Sequence, residues 1–258
     1  MPPARRYDAW LGGKDNLAAD RHSADTIEDA FPTIKQAARE NRKWMRRAVR
    51  CLSEHDIRQF LDIGVGLPDP PNVHDIAQHI HPNTRVHYID NDPLVGVHAE
   101  ALLTDGPDGH TTFTTGDLRD PDTILHDAAQ RLDFTQPIGL LIIAVLHFLP
   151  DTDHPHQLVA RLVQELAPGS YLALTHATLD PLPPAQAHRL RDLAASGNHG
   201  ALHPRTRDQV TAFFSGLDLA KPGLAYTNDW HPHLEPHPDP NLMHDHTATH
   251  AGLARKPR

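Results

Sequence analysis

Along the middle of the chain, short apolar runs that stop at a glycine or an acid alternate with segments carrying helical signals. No other feature restricts the possible folds as strongly. The runs cover residues 59–64, 85–90, 112–117, 138–143 and 170–175, and the intervening segments cover 72–80, 93–103, 121–131 and 156–166. Parallel strands cannot be joined by a tight turn and need a crossover of about a dozen or more residues, which a helix supplies. The alternation therefore predicts an α/β protein with a doubly wound, mostly parallel sheet. Before the first run, residues 9–49 are charged, with apolar positions such as Ile27, Ala30, Phe31, Ile34, Ala37 and Ala38 spaced for one helical face, which predicts a helical N-terminal appendage. Beyond the fifth run, residues 180–193 and 206–214 read as helices. Two short apolar runs, 217–219 and 224–226, follow them, and residues 248–254 read as the last strand. The Pro- and His-rich stretch before it, with His231, His233, His237, His244 and His246, is expected to be a long loop.

Composition removes several function classes. A formal charge of -9, from 24 Lys+Arg against 33 Asp+Glu, disfavours a nucleic-acid partner, because phosphate-backbone binding needs clustered cations. The longest apolar run, 138–149, is interrupted by Gly139 and His147 and falls short of the roughly 20 apolar residues of a membrane span. The single cysteine, Cys51, excludes an internal disulfide and a four-cysteine zinc site. With no signal-like apolar stretch near the start, these features lead to the expectation of a cytoplasmic protein with no membrane partner. They leave the oligomeric state open.

The stretch Leu61-Asp62-Ile63-Gly64-Val65-Gly66-Leu67-Pro68 reads as a strand entering a two-glycine turn, with Asn72 placed to cap the next helix. Glycines in such a turn let main-chain N–H groups approach a small ligand at the carboxyl edge of the sheet. A dinucleotide, and with it a nicotinamide oxidoreductase, is disfavoured on two grounds. The third glycine of the fingerprint is missing, with Pro68 in the turn, and Asp62 puts a carboxylate where a pyrophosphate would sit. The second and third strands end at Asp90 and Asp117, so three successive strands bring acids to one rim. S-adenosylmethionine offers an ammonium, a ribose diol and an adenine amine to such a rim. The competing reading makes Asp90 and Asp117 helix caps or turn residues.

The sequence resembles the class I S-adenosylmethionine-dependent methyltransferases, and within them a subfamily with an N-terminal Tyr-Asp-x-x-Leu-Gly-Gly-Lys-Asp-Asn segment. Here that segment is Tyr7-Asp8-Ala9-Trp10-Leu11-Gly12-Gly13-Lys14-Asp15-Asn16, followed by Ala19-Asp20-Arg21. Further blocks are Phe60 to Pro68, Asn72-Val73-His74, Tyr88-Ile89-Asp90-Asn91-Asp92-Pro93, Asp117-Leu118-Arg119-Asp120-Pro121, Leu132-Asp133-Phe134 and Ala144-Val145-Leu146-His147-Phe148. The resemblance implies a Rossmann-like sheet of seven strands, with residues 1–55 as the helical appendage or lid and 56–258 as the S-adenosylmethionine-binding domain. It further implies that Asp62, Gly64 and Gly66 hold the methionine moiety and Asp90 the ribose. Asn91 would lie beside the adenine, and Asp117 with Leu118 would meet the adenine edge. By fold analogy the acceptor would enter near residues 144–151 and 175–176.

The implied function is transfer of a methyl group to O or N of a small-molecule acceptor that the sequence does not identify. The alternative is a non-catalytic protein that senses S-adenosylmethionine or S-adenosylhomocysteine, which an acceptor screen would separate from an enzyme. A general base is needed only if the acceptor carries a proton, and His147, interrupting an apolar run beside the fourth strand, is the candidate. The bland alternative is a core histidine bonded to backbone; His176, after the fifth strand, is the weaker candidate, with a structural or exposed role expected. The Gly12-Gly13 pair should form a turn before a helix capped by Asp15 or Asn16, and the appendage is expected to close over the cofactor with Tyr7, Gly13 or Lys14 near it. Arg42, Lys43, Arg46, Arg47 and Arg50 make a basic face that would either meet an acidic substrate or be solvated. Most of the 22 histidines read as surface or tail residues, and none has the spacing of a strong metal signature.

Overall fold

A computed structural model of the protein describes residues 3–102, 110–236 and 238–257. Leu103, at the end of one expected helical segment, and His237 of the histidine-rich stretch lie outside the described residues. The chain begins with three helices, α1 (Pro3–Leu11), α2 (Ala18–Ala30) and α3 (Ile34–Glu54). It then alternates β1 (Gln59–Ile63), α4 (Val73–Ile80), β2 (Arg85–Asp90), α5 (Pro93–Leu102), β3 (Thr111–Thr115), α6 (Pro121–Ala128), β4 (Gly139–Ile143), α7 (Pro155–Glu165) and β5 (Tyr171–Ala177). After these come α8 (Pro184–Ala195), α9 (Arg207–Thr211), β6 (Asp218–Leu219), β7 (Ala225–Tyr226), α10 (His244–Thr247) and β8 (Thr249–Arg255).

One sheet runs in the order β3-β2-β1-β4-β5-β8-β6, with β7 also pairing β8. The pairs among β1 to β5 are parallel, and β8 is antiparallel to β5, β6 and β7. Among the described residues the sheet therefore has eight strands rather than the expected seven. The difference is the apolar run at 224–226, which supplies a two-residue strand opposite Ala251 and His250.

Strand side chains alternate between the two faces and build two cores. Leu61, Leu140 and Leu172 face one way, against Ile124 of α6 and Val159 and Leu162 of α7. Phe60, Leu141 and Ala173 face the other, against Trp44, Met45, Ala48 and Leu52 of α3. The third helix is thus a covering layer of the sheet as well as part of the N-terminal helical segment. A smaller cluster joins Ala30 and Phe31, at the end of α2, to Leu182, Ala187 and Leu190 at and in α8. That cluster holds α2 over the end of the sheet where the strands point. The histidine-rich stretch is mostly irregular but is interrupted by a 3-10 turn at Pro232–Leu234 and by α10. Among the described residues no helix is long and apolar enough to cross a membrane.

Candidate functional site

The carboxyl ends of β1 to β5 open into a cavity of about 770 Å³, walled on its other sides by α1 and by residues of α2, α3 and α8. Asp62, Gly64, Gly66, Asp90, Asn91, Asp117 and Leu118 all line it, as do Tyr7, Gly13 and His147. Lys14 is exposed and is not brought to the cavity.

The turn after β1 shows what its glycines do. Gly64 and Gly66 have φ of +77° and +68°, the left-handed region that a side chain resists, and a Cβ on Gly64 would collide with Val145 Cγ2. Their amides are not left free for a ligand, contrary to the sequence expectation. Gly64 N donates to Ile89 O at 2.7 Å, Val65 N to the same oxygen at 3.3 Å, and Gly66 N to Asp90 Oδ2 at 2.8 Å. The glycines shape the wall, and carboxylates supply the polar contacts.

Asp90, 7% exposed, also accepts from Asp92 N at 2.9 Å, so it braces the turn while facing the cavity. Burial pushes its carboxyl above the usual range, against the pull of these hydrogen bonds. Asp62 is 5% exposed and, among the described residues, accepts no hydrogen bond. Burial pushes it up to about 7, with the neighbouring Asp90 adding to the rise and Arg42 opposing it. Asp117 is held differently. It accepts from Asn91 Nδ2 at 3.0 Å, from Arg119 N at 2.9 Å and from the Arg119 guanidinium, and sits below its usual range despite partial burial. Asp90 and Asp117 are therefore turn residues and cavity residues at once. Neither is a helix cap: Asp120 caps α6 through Thr123 N, and at the start of α5 it is Asp92 that accepts from Leu94 N.

The glycine-rich N-terminal segment is organised by Asp8. Its buried carboxylate accepts from Asn16 Nδ2 at 2.6 Å and Asp15 N at 3.1 Å, and a Cβ on Gly13 would collide with it. Neither Asp15 nor Asn16 caps α2 as the sequence suggested. Leu17 occupies the cap position, Asp20 accepts its N–H at 2.9 Å, and Asn16 is bound to Asp8 and Arg21 instead. Tyr7 donates to Ala38 O and accepts from Asn41, and burial raises its hydroxyl to about 12. Arg5 forms a two-bond ion pair with Asp92, at 2.9 and 3.1 Å. Since Asp92 N is bound to Asp90 and Asp90 to Gly66 N, one chain of contacts runs from α1 to the glycine turn. Arg5 belongs to no motif, and Asp92 lies inside the Tyr88–Pro93 block without a signal of its own for this contact.

At the other end, Ala144–Leu149 and Ala177–Leu179 contribute wall residues, whereas Asp151, Thr175 and His176 of the expected acceptor region do not. His147, 8% exposed, accepts from Ala177 N at its Nδ1, at 3.3 Å, so the neutral ring carries its proton on Nε2. Burial, helped by Arg205 and Arg6, lowers it to about 3. As it stands this ring offers the cavity a donor rather than a proton acceptor. His176 is fully buried and spans Ala177 O and Arg205. Arg205, unnoticed in the sequence, also donates to Leu146 O, Leu149 O and Asp151, pinning the segment after β4 to the end of β5.

The basic face of α3 is divided: Arg50 is exposed, whereas Arg42, which also lines the cavity, Arg46 and Arg47 are engaged with the protein itself. Arg42 and Arg46 converge on Asp69 and hold the Pro68–Asn72 turn, and Arg47 is buried against Glu40, Glu235 and Thr227 O. The histidines are less superficial than composition suggested, for His87, His147, His176 and His250 are all buried. Among the described residues no group of three or more His, Cys, Asp or Glu could hold a metal ion.

Comparison with known proteins then places this architecture. Residues 1–257 match the model of a family described as S-adenosyl methyltransferase. The crystal structure of a DUF574 family protein from Streptomyces avermitilis MA-4680 is 38% identical with a TM-score of 0.94, over 100% of this chain and 98% of that one. A protein from Thermobifida fusca YX, provisionally described as a methyltransferase, is 39% identical with a TM-score of 0.89, over 99% of this chain and 95% of its own. Human N-acetylserotonin methyltransferase, solved with S-adenosylmethionine, shares the fold at 17% identity and a TM-score of 0.51, over 100% of this chain and 61% of its own. Among curated proteins, none matches.

Proposed function

Because the chain belongs to the S-adenosyl methyltransferase family and is an S-adenosylmethionine-dependent methyltransferase, we propose that its cofactor lies along the rim from Asp62 to Asp117 and that its acceptor is a small molecule entering from the β4–β5 end. One observation carries this reading: Asp62 is a buried carboxylate that lines the cavity and, among the described residues, has no hydrogen-bond partner for its side chain. Burying a charge is unfavourable unless it is paired, so this oxygen pair fits a cationic amine. Asp90 offers oxygen acceptors suited to a ribose diol, and Asp117 with Leu118 would meet the adenine. When bound, S-adenosylmethionine supplies a methyl group on a sulfonium sulfur. The protein contributes alignment and exclusion of water, with residues of α1 as one wall of the cavity; of the segment 1–55 expected to be the lid, only α1 and α2 can act as one, because α3 is packed into the core of the sheet. His147 orients the acceptor by donating from Nε2.

The position of Asp62 gives the reading a pH signature. A bound ammonium favours the ionised carboxylate, so binding below about pH 7 must expel a proton. The affinity for S-adenosylhomocysteine is expected to fall by up to about tenfold per unit as pH drops from 7 towards 5. Calorimetry at pH 6 in buffers of different ionisation enthalpy would show the released proton, and Asp62→Asn would remove both effects. In the free protein the sign is reversed. A carboxyl raised in the folded state makes its contribution less favourable as pH rises from the unfolded value through about 7, and stability recovers as pH falls through that window. Affinity unchanged between pH 5.5 and 8 would remove Asp62 from the ammonium site.

The lid has its own test. Arg5→Gln removes a charge-assisted pair worth about 1 kcal/mol at this partly exposed position, so cofactor affinity should drop roughly fivefold, with faster dissociation in stopped-flow. Unaltered dissociation would mean that α1 does not retain the ligand.

A further inference from the structure

Consecutive arginines on a helix point about 100° apart, and on α1 they serve opposite ends of the cavity. Arg5 reaches Asp92 beside the ribose end. Arg6 lines the cavity and is 3% exposed; its Nη1 donates to His199 O, and its Nε is buried with no hydrogen-bond partner. Among the described residues no carboxylate lies within ion-pair distance of Arg6. The negative charge acting on it is Asp20, which is itself buried and engaged with Leu17 N. A guanidinium keeps its charge under nearly all conditions, and burying one without an anion is unfavourable, so a partner is missing from the protein itself. The same cavity is lined by His147, whose ring carries its proton on Nε2 and feels the Arg6 charge. The surrounding wall is apolar, with Phe31, Phe148, Leu182, Leu190 and Leu193.

We propose that the methyl acceptor is an apolar or aromatic molecule carrying an anionic group of the carboxylate type, and that Arg6, with the Nε2–H of His147, binds that group. This rests on the acceptor entering at the β4–β5 end. A guanidinium and a ring N–H together make a donor pair for two oxygens, and the apolar wall accepts the remainder of the molecule. Arg6 is thereby a specificity-determining residue, and an acceptor whose anion is already deprotonated meets no demand for a base at its anchoring end.

The test is a calorimetric comparison at pH 8 of cinnamate and 1-naphthoate with their neutral amides, on the free protein and on protein loaded with S-adenosylhomocysteine. The carboxylates should bind at least about tenfold more tightly than the amides, Arg6→Gln should erase the preference, and Arg6→Lys should retain part of it. The affinity of Arg6→Gln for S-adenosylhomocysteine should change by less than about fivefold. Equal binding of amides, failure of every carboxylate to bind, or a preference that survives Arg6→Gln would each overturn the proposal. So would a larger loss of S-adenosylhomocysteine binding in Arg6→Gln, which would assign Arg6 to the cofactor's own carboxylate. If the wild-type protein did not bind S-adenosylhomocysteine, the cofactor reading would fall, and the comparison on free protein would still decide the role of Arg6.

Discussion

Asp90→Ala should weaken S-adenosylhomocysteine binding by roughly 100-fold or more, because three contacts are lost together. The ribose loses its carboxylate, and the N–H groups of Gly66 and Asp92, bonded to Asp90 at 2.8 and 2.9 Å, lose their acceptor. Leaving a buried donor unsatisfied costs about 1–3 kcal/mol each, and a hydrogen bond to a charged group is worth about 1.5–3 kcal/mol. At the middle of these ranges, half of the sum still exceeds the 2.7 kcal/mol or so that corresponds to a hundredfold change. Asp90→Asn keeps one carbonyl oxygen for the turn and should give an intermediate loss. Calorimetry on the three proteins checks the order. Full affinity in Asp90→Ala would remove the ribose assignment and the brace on the glycine turn together.

The second large effect is expected at Arg205, far from that rim. Its guanidinium satisfies Leu146 O, Leu149 O and His176 Nε2 inside the protein and Asp151 at the surface. Arg205→Met keeps most of the volume but strips the donors, leaving buried acceptors unpaired. The cost should be about 3 kcal/mol, and with roughly 2–4 °C per kcal/mol for a chain of this size the melting temperature should fall by about 6–12 °C. The loss should appear in acceptor turnover before it appears in cofactor binding, because Arg205 positions the segment bearing His147 and touches neither Asp62 nor Asp90. S-adenosylhomocysteine affinity in the folded variant should therefore stay within about fivefold of wild type. A melting temperature unchanged within 2 °C or so would show that these contacts do not hold the segment.

The fold was legible because its determinants are local. The run at 85–90 became β2 without adjustment, and Asn72 occupies the cap position of α4, although its side-chain oxygen accepts from Asp69 N and Arg42 instead of the helix. The strand at 225–226 was missed as a strand because two residues carry no periodicity, and it exists only by pairing with β8. At the site, Asp62, Gly64, Gly66, Asp90 and Asp117 could be read because each follows or ends a strand, where geometry is set by the sheet. The use made of them could not be read. Whether the Gly66 N–H meets a ligand or Asp90 depends on a side chain 24 residues away in sequence. Arg6 and Arg205 were invisible for a related reason. One side chain on α1 and another in the segment after α8 acquire meaning only when the tertiary fold sets them beside His199, His147 and His176. His147 shows the limit most clearly, because its place after β4 suggested a base, and only its bond to Ala177 N indicates which nitrogen holds the proton.

A crystal structure of the protein with S-adenosylhomocysteine bound would test the placement of the cofactor along the rim from Asp62 to Asp117. The ammonium should lie within hydrogen-bond reach of Asp62, the ribose hydroxyls on Asp90 and the adenine against Asp117 and Leu118, inside the cavity walled by α1. A ligand bound elsewhere, or bound in the cavity with its ribose away from Asp90 and its ammonium away from Asp62, would contradict it.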